Sequence, residues 1–112
     1  MSRHDDSVSL RQMLDHAREA REFAVGKSRH DLDTNRLFEL AITRLLEIVG
    51  EAANRVSAAR RAQLAQIDWE GVRGFRNRIV HGYDEINLDI VWTIISDDLP
   101  ALIHQLEQIV RD

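Results

Sequence analysis

Residues 34–56 read TNRLFELAITRLLEIVGEAANRV, and their apolar positions recur every three or four residues, the period of an α-helix. Phe38, Ala41, Leu45, Ile48 and Ala52 lie along one side, and Ile42, Leu46, Val49 and Ala53 along the adjacent side. Two neighbouring apolar stripes need cover over a wide arc. A helix from about Asp33 or Thr34 to Val56 is long enough to cross the whole domain. The pattern therefore predicts a central helix in an all-α, up-and-down bundle of four to five helices, with part of this helix closing a homodimer. Gly50 lowers helix propensity in its second half and predicts close approach of another backbone.

Working outward, Leu10, Met13, Ala17, Ala20 and Ala24 share one face of a first helix, expected from about Ser9 to Val25. Ser9 and Gln12 form a candidate capping box, and Gly26 is a natural stop. Residues 26–33 are polar and read as a connecting loop. After the central helix the pattern weakens from Ser57 to Ile67, consistent with a short helix or ordered loop. A further helix is expected from Asp68, a plausible cap, to Gly82, carrying Val72, Phe75, Ile79 and Val80. Asn87 caps another, bearing Leu88, Ile90, Val91, Trp92, Ile94 and Ile95. Pro100 lacks an amide hydrogen and forces a kink near Ser96 or a break there. Leu102, Ile103, Leu106, Ile109 and Val110 continue the pattern to the end.

With 112 residues, the chain reads as one domain over 1–112, able to bury about two-thirds of its unfolded surface around a single core. Five Gly, one Pro and no Cys fit a helical protein without disulfides or a thiolate zinc site. Apolar runs are far short of the roughly 20 residues of a membrane span, and the N-terminus has acidic residues where a signal peptide is apolar. A cytoplasmic protein without membrane contact is the expectation. The net charge of −4 argues against a general nucleic-acid binder, yet the charge is uneven. Arg55, Arg60, Arg61, Arg73, Arg76 and Arg78 face only Asp68 and Glu70 in the stretch from Arg55 to His81, whereas Arg111 is the one positive charge after Asp84. One segment can meet an anion while the rest stays acidic.

That segment concentrates the chemistry in Arg73-Gly74-Phe75-Arg76-Asn77-Arg78-Ile79-Val80-His81-Gly82-Tyr83. On a continuous helix Arg73, Asn77 and His81 would form a polar line with Arg76 beside it, and His81 would sit in the last turn. An imidazole can move a proton at neutral pH, and a guanidinium fork can hold two phosphate oxygens, so a phosphodiester is the natural target. The bland reading is a helix-capping histidine beside a solvated basic face. His4, His16, His30 and His104 are scattered and read as surface residues, and Trp69 and Trp92 as core anchors. No metal-ligand spacing or glycine-rich phosphate loop is present.

The run from Arg76 to Tyr83 resembles the R-x-x-x-x-H-x-Y signature of the HepT-like branch of the HEPN superfamily. The likeness extends to Leu46-Glu47-Ile48-Val49-Gly50-Glu51-Ala52-Ala53, to Trp69, to Val91-Trp92 and to Leu99-Pro100, and covers most of the chain from about Arg36 onward. The resemblance implies an HEPN-type bundle acting as the toxin of a type VII toxin-antitoxin pair: a metal-independent ribonuclease without cofactor, dimeric, and partnered by a minimal nucleotidyltransferase (MNT) antitoxin. Carried over by position, Arg76 and His81 would be catalytic, Asn77 and Arg73 would help position the phosphate, and Tyr83 would be the residue that the antitoxin modifies with AMP. The rival is a non-catalytic accessory subunit that binds nucleotide or docks on the transferase through the same cluster.

Overall fold

The long apolar helix organises everything around it. The computed structural model describes residues 5–82 and 85–111, and α3 runs Arg36–Arg55, with the Asn35 side chain accepting from the Phe38 amide at 3.0 Å. Phe38, Ile42, Leu46, Val49, Ala52 and Ala53 are buried. Helix α1, Asp6–Phe23, lies antiparallel along it. At one end Asp6 accepts from the amide and hydroxyl of Ser57, at 2.8 and 2.7 Å. At the other, the Phe23 and Phe38 rings stack with centroids 5.8 Å apart. The first helix starts earlier than expected: Asp5, not Ser9, is its cap, accepting from the Ser7 amide at 2.9 Å, and Ser9 is buried inside it. Gly26 follows with φ +77°, which a residue with a Cβ rarely adopts.

Residues 26–33, expected as a loop, hold instead a short helix, α2, Arg29–Thr34. Its signal is local: the Ser28 amide donates to the Asp31 carboxylate at 2.6 Å, half of a Ser-x-x-acid cap. Helix α4, Ala58–Gln63, fills the ambiguous stretch after the central helix.

The helix expected over 68–82 is interrupted. It is two short helices, α5, Trp69–Arg73, and α6, Phe75–Ile79, joined at Gly74. The chain then leaves the helix, and β1, Val80–His81, pairs antiparallel with β2, Glu85–Ile86, in the register Val80 opposite Ile86 and His81 opposite Glu85. His81 is therefore on a strand, not in a last helical turn. Helix α7, Leu88–Thr93, begins at Asn87 as expected, its side chain accepting from the Ile90 amide at 3.2 Å.

In place of the kink or break expected near Ser96, a π-helical turn spans that residue and the chain stays helical into Pro100. A π-turn, Ile94–Asp98, separates α7 from α8, Leu99–Ile109. In an α-helix the proline ring would clash with the carbonyl four residues back, a cost of about 3 kcal/mol. Here the Leu99 amide donates to Ile94 five residues back, and the wider turn absorbs the ring. Trp69 and Trp92 pack against the core as half-buried residues, and the Trp69 indole donates to the Leu64 carbonyl at 2.9 Å. The fold is thus all-α apart from one two-residue strand pair. No helix among the described residues is long and apolar enough to cross a membrane.

Candidate active site

Gly50 decides where the basic segment sits. A Cβ at this position would lie 3.1 Å from the Val72 carbonyl oxygen and 3.4 Å from the Phe75 Cβ, so the absent side chain lets α5 and α6 press onto α3. Val72, Phe75 and Ile79 are buried on that contact. Helices α5 and α6, anchored by these three residues, leave Arg73, Arg76 and Asn77 exposed.

The outward residues differ in what they touch. Arg73 donates from Nε to the Asn54 side-chain oxygen at 2.9 Å, fastening α5 to the last turns of α3. Arg78 makes a 2.7 Å ion pair with Asp98 in the π-turn, and its guanidinium lies 5.8 Å from the Phe75 ring centroid. Arg76 and Asn77 are exposed, and neither side chain has a hydrogen bond or ion pair among the described residues. Of the three arginines flanking Asn77, Arg76 is the one not committed to the fold in this part of the chain. It is also the one that the R-x-x-x-x-H spacing selects.

His81 is exposed on β1, at the far end of α6 from Gly74. The strand pair holds it there: the Asn87 amide donates to the Ile79 carbonyl at 2.7 Å, and Val80 and Ile86 turn one face of the pair inward. Gly82, which follows β1, has φ +69°. The continuous line Arg73, Asn77, His81 does not form, because the helix ends at Ile79. What remains is Arg76 and Asn77 exposed on α6, followed in the chain by His81 exposed on β1. Tyr83, the expected modification site, lies outside the described residues, as does His4.

The family model described as "Ribonuclease HepT-like" matches residues 13–109. The chain belongs to the HepT-like family. Relatives carry the same reading in their names. The chain is 28% identical over 107 residues to "Putative RNase MJ1380" of Methanocaldococcus jannaschii, covering 96% of this chain and 98% of that one. It is 29% identical over 105 residues to "Putative RNase TTE0752" of Caldanaerobacter subterraneus subsp. tengcongensis, covering 90% and 94%. It is 25% identical over 71 residues to "Probable ribonuclease HepT" of Thermococcus cleftensis, covering 63% and 64%. No solved structure gives a significant match.

In this HepT-like chain two features escaped the reading of the sequence. Asp98, in the π-turn, meets Arg78 from twenty residues away, a separation that no local pattern spans. Glu85 faces His81 through strand pairing that begins after a helix expected to continue. Among the other histidines, His16 is half-buried rather than on the open surface, its Nδ1 2.7 Å from the Gln12 carbonyl oxygen, while His30 and His104 are exposed.

Proposed function

We propose that the chain is a metal-independent endoribonuclease, the toxin of a type VII toxin-antitoxin pair, with Arg76 and His81 as its catalytic residues. The observation that carries this reading is that Arg76, uncommitted among the described residues, and His81, both exposed, stand at motif spacing on a framework held by the other two arginines. The names of the relatives support the same activity.

In the reaction, a ribose 2′-hydroxyl oxygen attacks the neighbouring phosphorus and the bond to the 5′-oxygen breaks, giving a 2′,3′-cyclic phosphate and a 5′-hydroxyl. His81 takes the 2′-hydroxyl proton or supplies one to the leaving oxygen, the exchange an imidazole performs near neutral pH. Arg76 holds the non-bridging oxygens as negative charge builds on them. Asn77, one residue on, positions the phosphate or the imidazole. Arg73 assists from a distance by holding α5.

Control is assigned to the same motif. An AMP group on Tyr83, two residues from His81, adds negative charge and bulk where a polyanion must approach. A minimal nucleotidyltransferase antitoxin is the proposed source of that group. We also assign the exposed side of α3 to a homodimer that brings two motifs to one cleft.

The test is cleavage of a defined RNA in EDTA by wild type, His81→Ala, Arg76→Ala and Tyr83-adenylylated protein. Cleavage by wild type alone, with cyclic-phosphate ends, is the expected result. Each substitution should lower the rate by roughly a hundredfold or more. If well-folded wild type cuts no RNA yet binds the transferase, the accessory-subunit reading replaces this one.

A further inference from the structure

We propose that Glu85 is a positioning residue for His81, fixing the tautomer and direction of its imidazole; the inference rests on the ribonuclease reading for its catalytic consequence and on strand geometry for its existence. His81 and Glu85 are direct partners in the antiparallel pair, and directly opposite side chains leave the same face of a sheet with Cβ atoms about 5 Å apart. The hydrogen bond from the Asn87 amide to the Ile79 carbonyl fixes the phase of the ladder. Since closely bonded pairs alternate along an antiparallel ladder, 79 with 87 makes 81 with 85 the next one. The backbone bonds of that pair hold the two side chains at a set spacing.

Among the described residues, the surrounding charges leave Glu85 to this task. The described elements most closely packed against β1 are α6 and β2. From α6 come Arg76, which faces solvent, and Arg78, which is engaged by Asp98. From β2 comes Glu85. The other nearby carboxylate on α7, Asp89, is 2.8 Å from Arg29 and points to α2. Neither the His81 ring nor the Glu85 carboxylate has a side-chain partner among the described residues. Both side chains are exposed, and rotation about their own bonds brings the carboxylate to the ring. Closed, the carboxylate accepts one ring N–H and presents the other nitrogen to the RNA, and it stabilises the imidazolium that forms when His81 takes a proton. The negative charge slightly opposes RNA binding, so its benefit belongs in turnover rather than affinity.

Two measurements separate the pair from the reaction. Ring-nitrogen NMR of the full chain reads the His81 tautomer without RNA: one tautomer should dominate in wild type, and Glu85→Ala should mix the two. Steady-state cleavage of a short single-stranded RNA should show kcat reduced about tenfold in Glu85→Ala, a fraction of the full general acid–base contribution, with KM unchanged or lower. Glu85→Gln, which keeps an accepting oxygen and the side-chain size, should retain the tautomer and recover part of the loss, and Glu22→Ala on α1 should match wild type. Identical tautomer populations in wild type, Glu85→Ala and Glu85→Gln would overturn the proposal. A tautomer released by Glu85→Ala in a protein that cuts no RNA would uphold the pair and sink the ribonuclease reading instead.

Discussion

The guanidinium of Arg78 lies 2.7 Å from Asp98 and over the Phe75 ring, whereas Arg76, two residues earlier, faces solvent. Two chemically identical side chains in one turn of helix should therefore respond differently to removal. Arg78→Ala breaks an ion pair that is about two-thirds buried, with the side chains 36% and 31% exposed. Partial exposure discounts the pair, so the expected loss is about 1 kcal/mol. Arg76→Ala removes an exposed group without partners among the described residues and should change stability by less than about 0.5 kcal/mol. Urea denaturation of both variants, set beside their RNA cleavage, checks the division. Arg78→Ala should unfold more easily while keeping measurable activity, and Arg76→Ala should unfold like wild type while losing activity. The reverse pattern would exchange the roles of the two arginines.

At the scale of elements, Gly50 was legible because helix propensity alone makes a mid-helix glycine costly, and the structure supplies its reason in the Val72 carbonyl 3.1 Å from where a Cβ would be. Gly50→Val gains roughly 0.5 kcal/mol of helix propensity at best but overpacks a backbone contact, at about 1–3 kcal/mol. Net destabilisation and a displaced α6 are expected, seen as a lower Tm together with reduced cleavage. Asn87 was legible for a similar reason, since its cap acts within three residues. His81 was misplaced because the strand pair depends on a partner, Ile86, across a turn, and no local pattern in Ile79-Val80-His81 separates a helix end from a two-residue strand. Helix α2 left a local signal in Ser28 and Asp31 that its polar composition masked. That cap makes a pH prediction. The Ser28 amide holds the Asp31 carboxyl below its ordinary value of 3.8, and the Ser7 hydroxyl and amide do the same for Asp5 at the start of α1. Carboxyls depressed in the folded state contribute fully above the unfolded value and lose that contribution as pH falls through the folded one. Tm should fall as pH is lowered from about 4 toward 2, and Asp31→Asn should flatten part of that fall. An unchanged slope in the variant would remove Asp31 from the account.

For the whole molecule, the unresolved balance lies on α3. Its inner side is buried, but Leu37 is 78% and Leu40 48% exposed, and Ala41 and Ile48 are half-buried along the same outward side. Between them Arg44 is shared by Glu51 at 3.1 Å and Glu47 at 3.8 Å, so its positive charge is met within the chain. Covering the face with a second copy would remove apolar surface from water at about 25 cal/mol per Å². On the ribonuclease reading a dimer would also let one motif meet another, because a lone His81 and Arg76 would offer one proton-transfer group and one phosphate clamp, and a phosphodiester cleavage uses a base and an acid. Sedimentation equilibrium of wild type should give a dimer, and Leu40→Glu, which places a carboxylate within the exposed apolar stripe of each copy, should give a monomer with unchanged helical content. Ribonuclease activity should track the dimer fraction across a dilution series. A wild-type monomer that cuts RNA at a rate independent of concentration would assign the whole reaction to one copy of Arg76 and His81, and would return the exposed leucines of α3 to an unrelated partner.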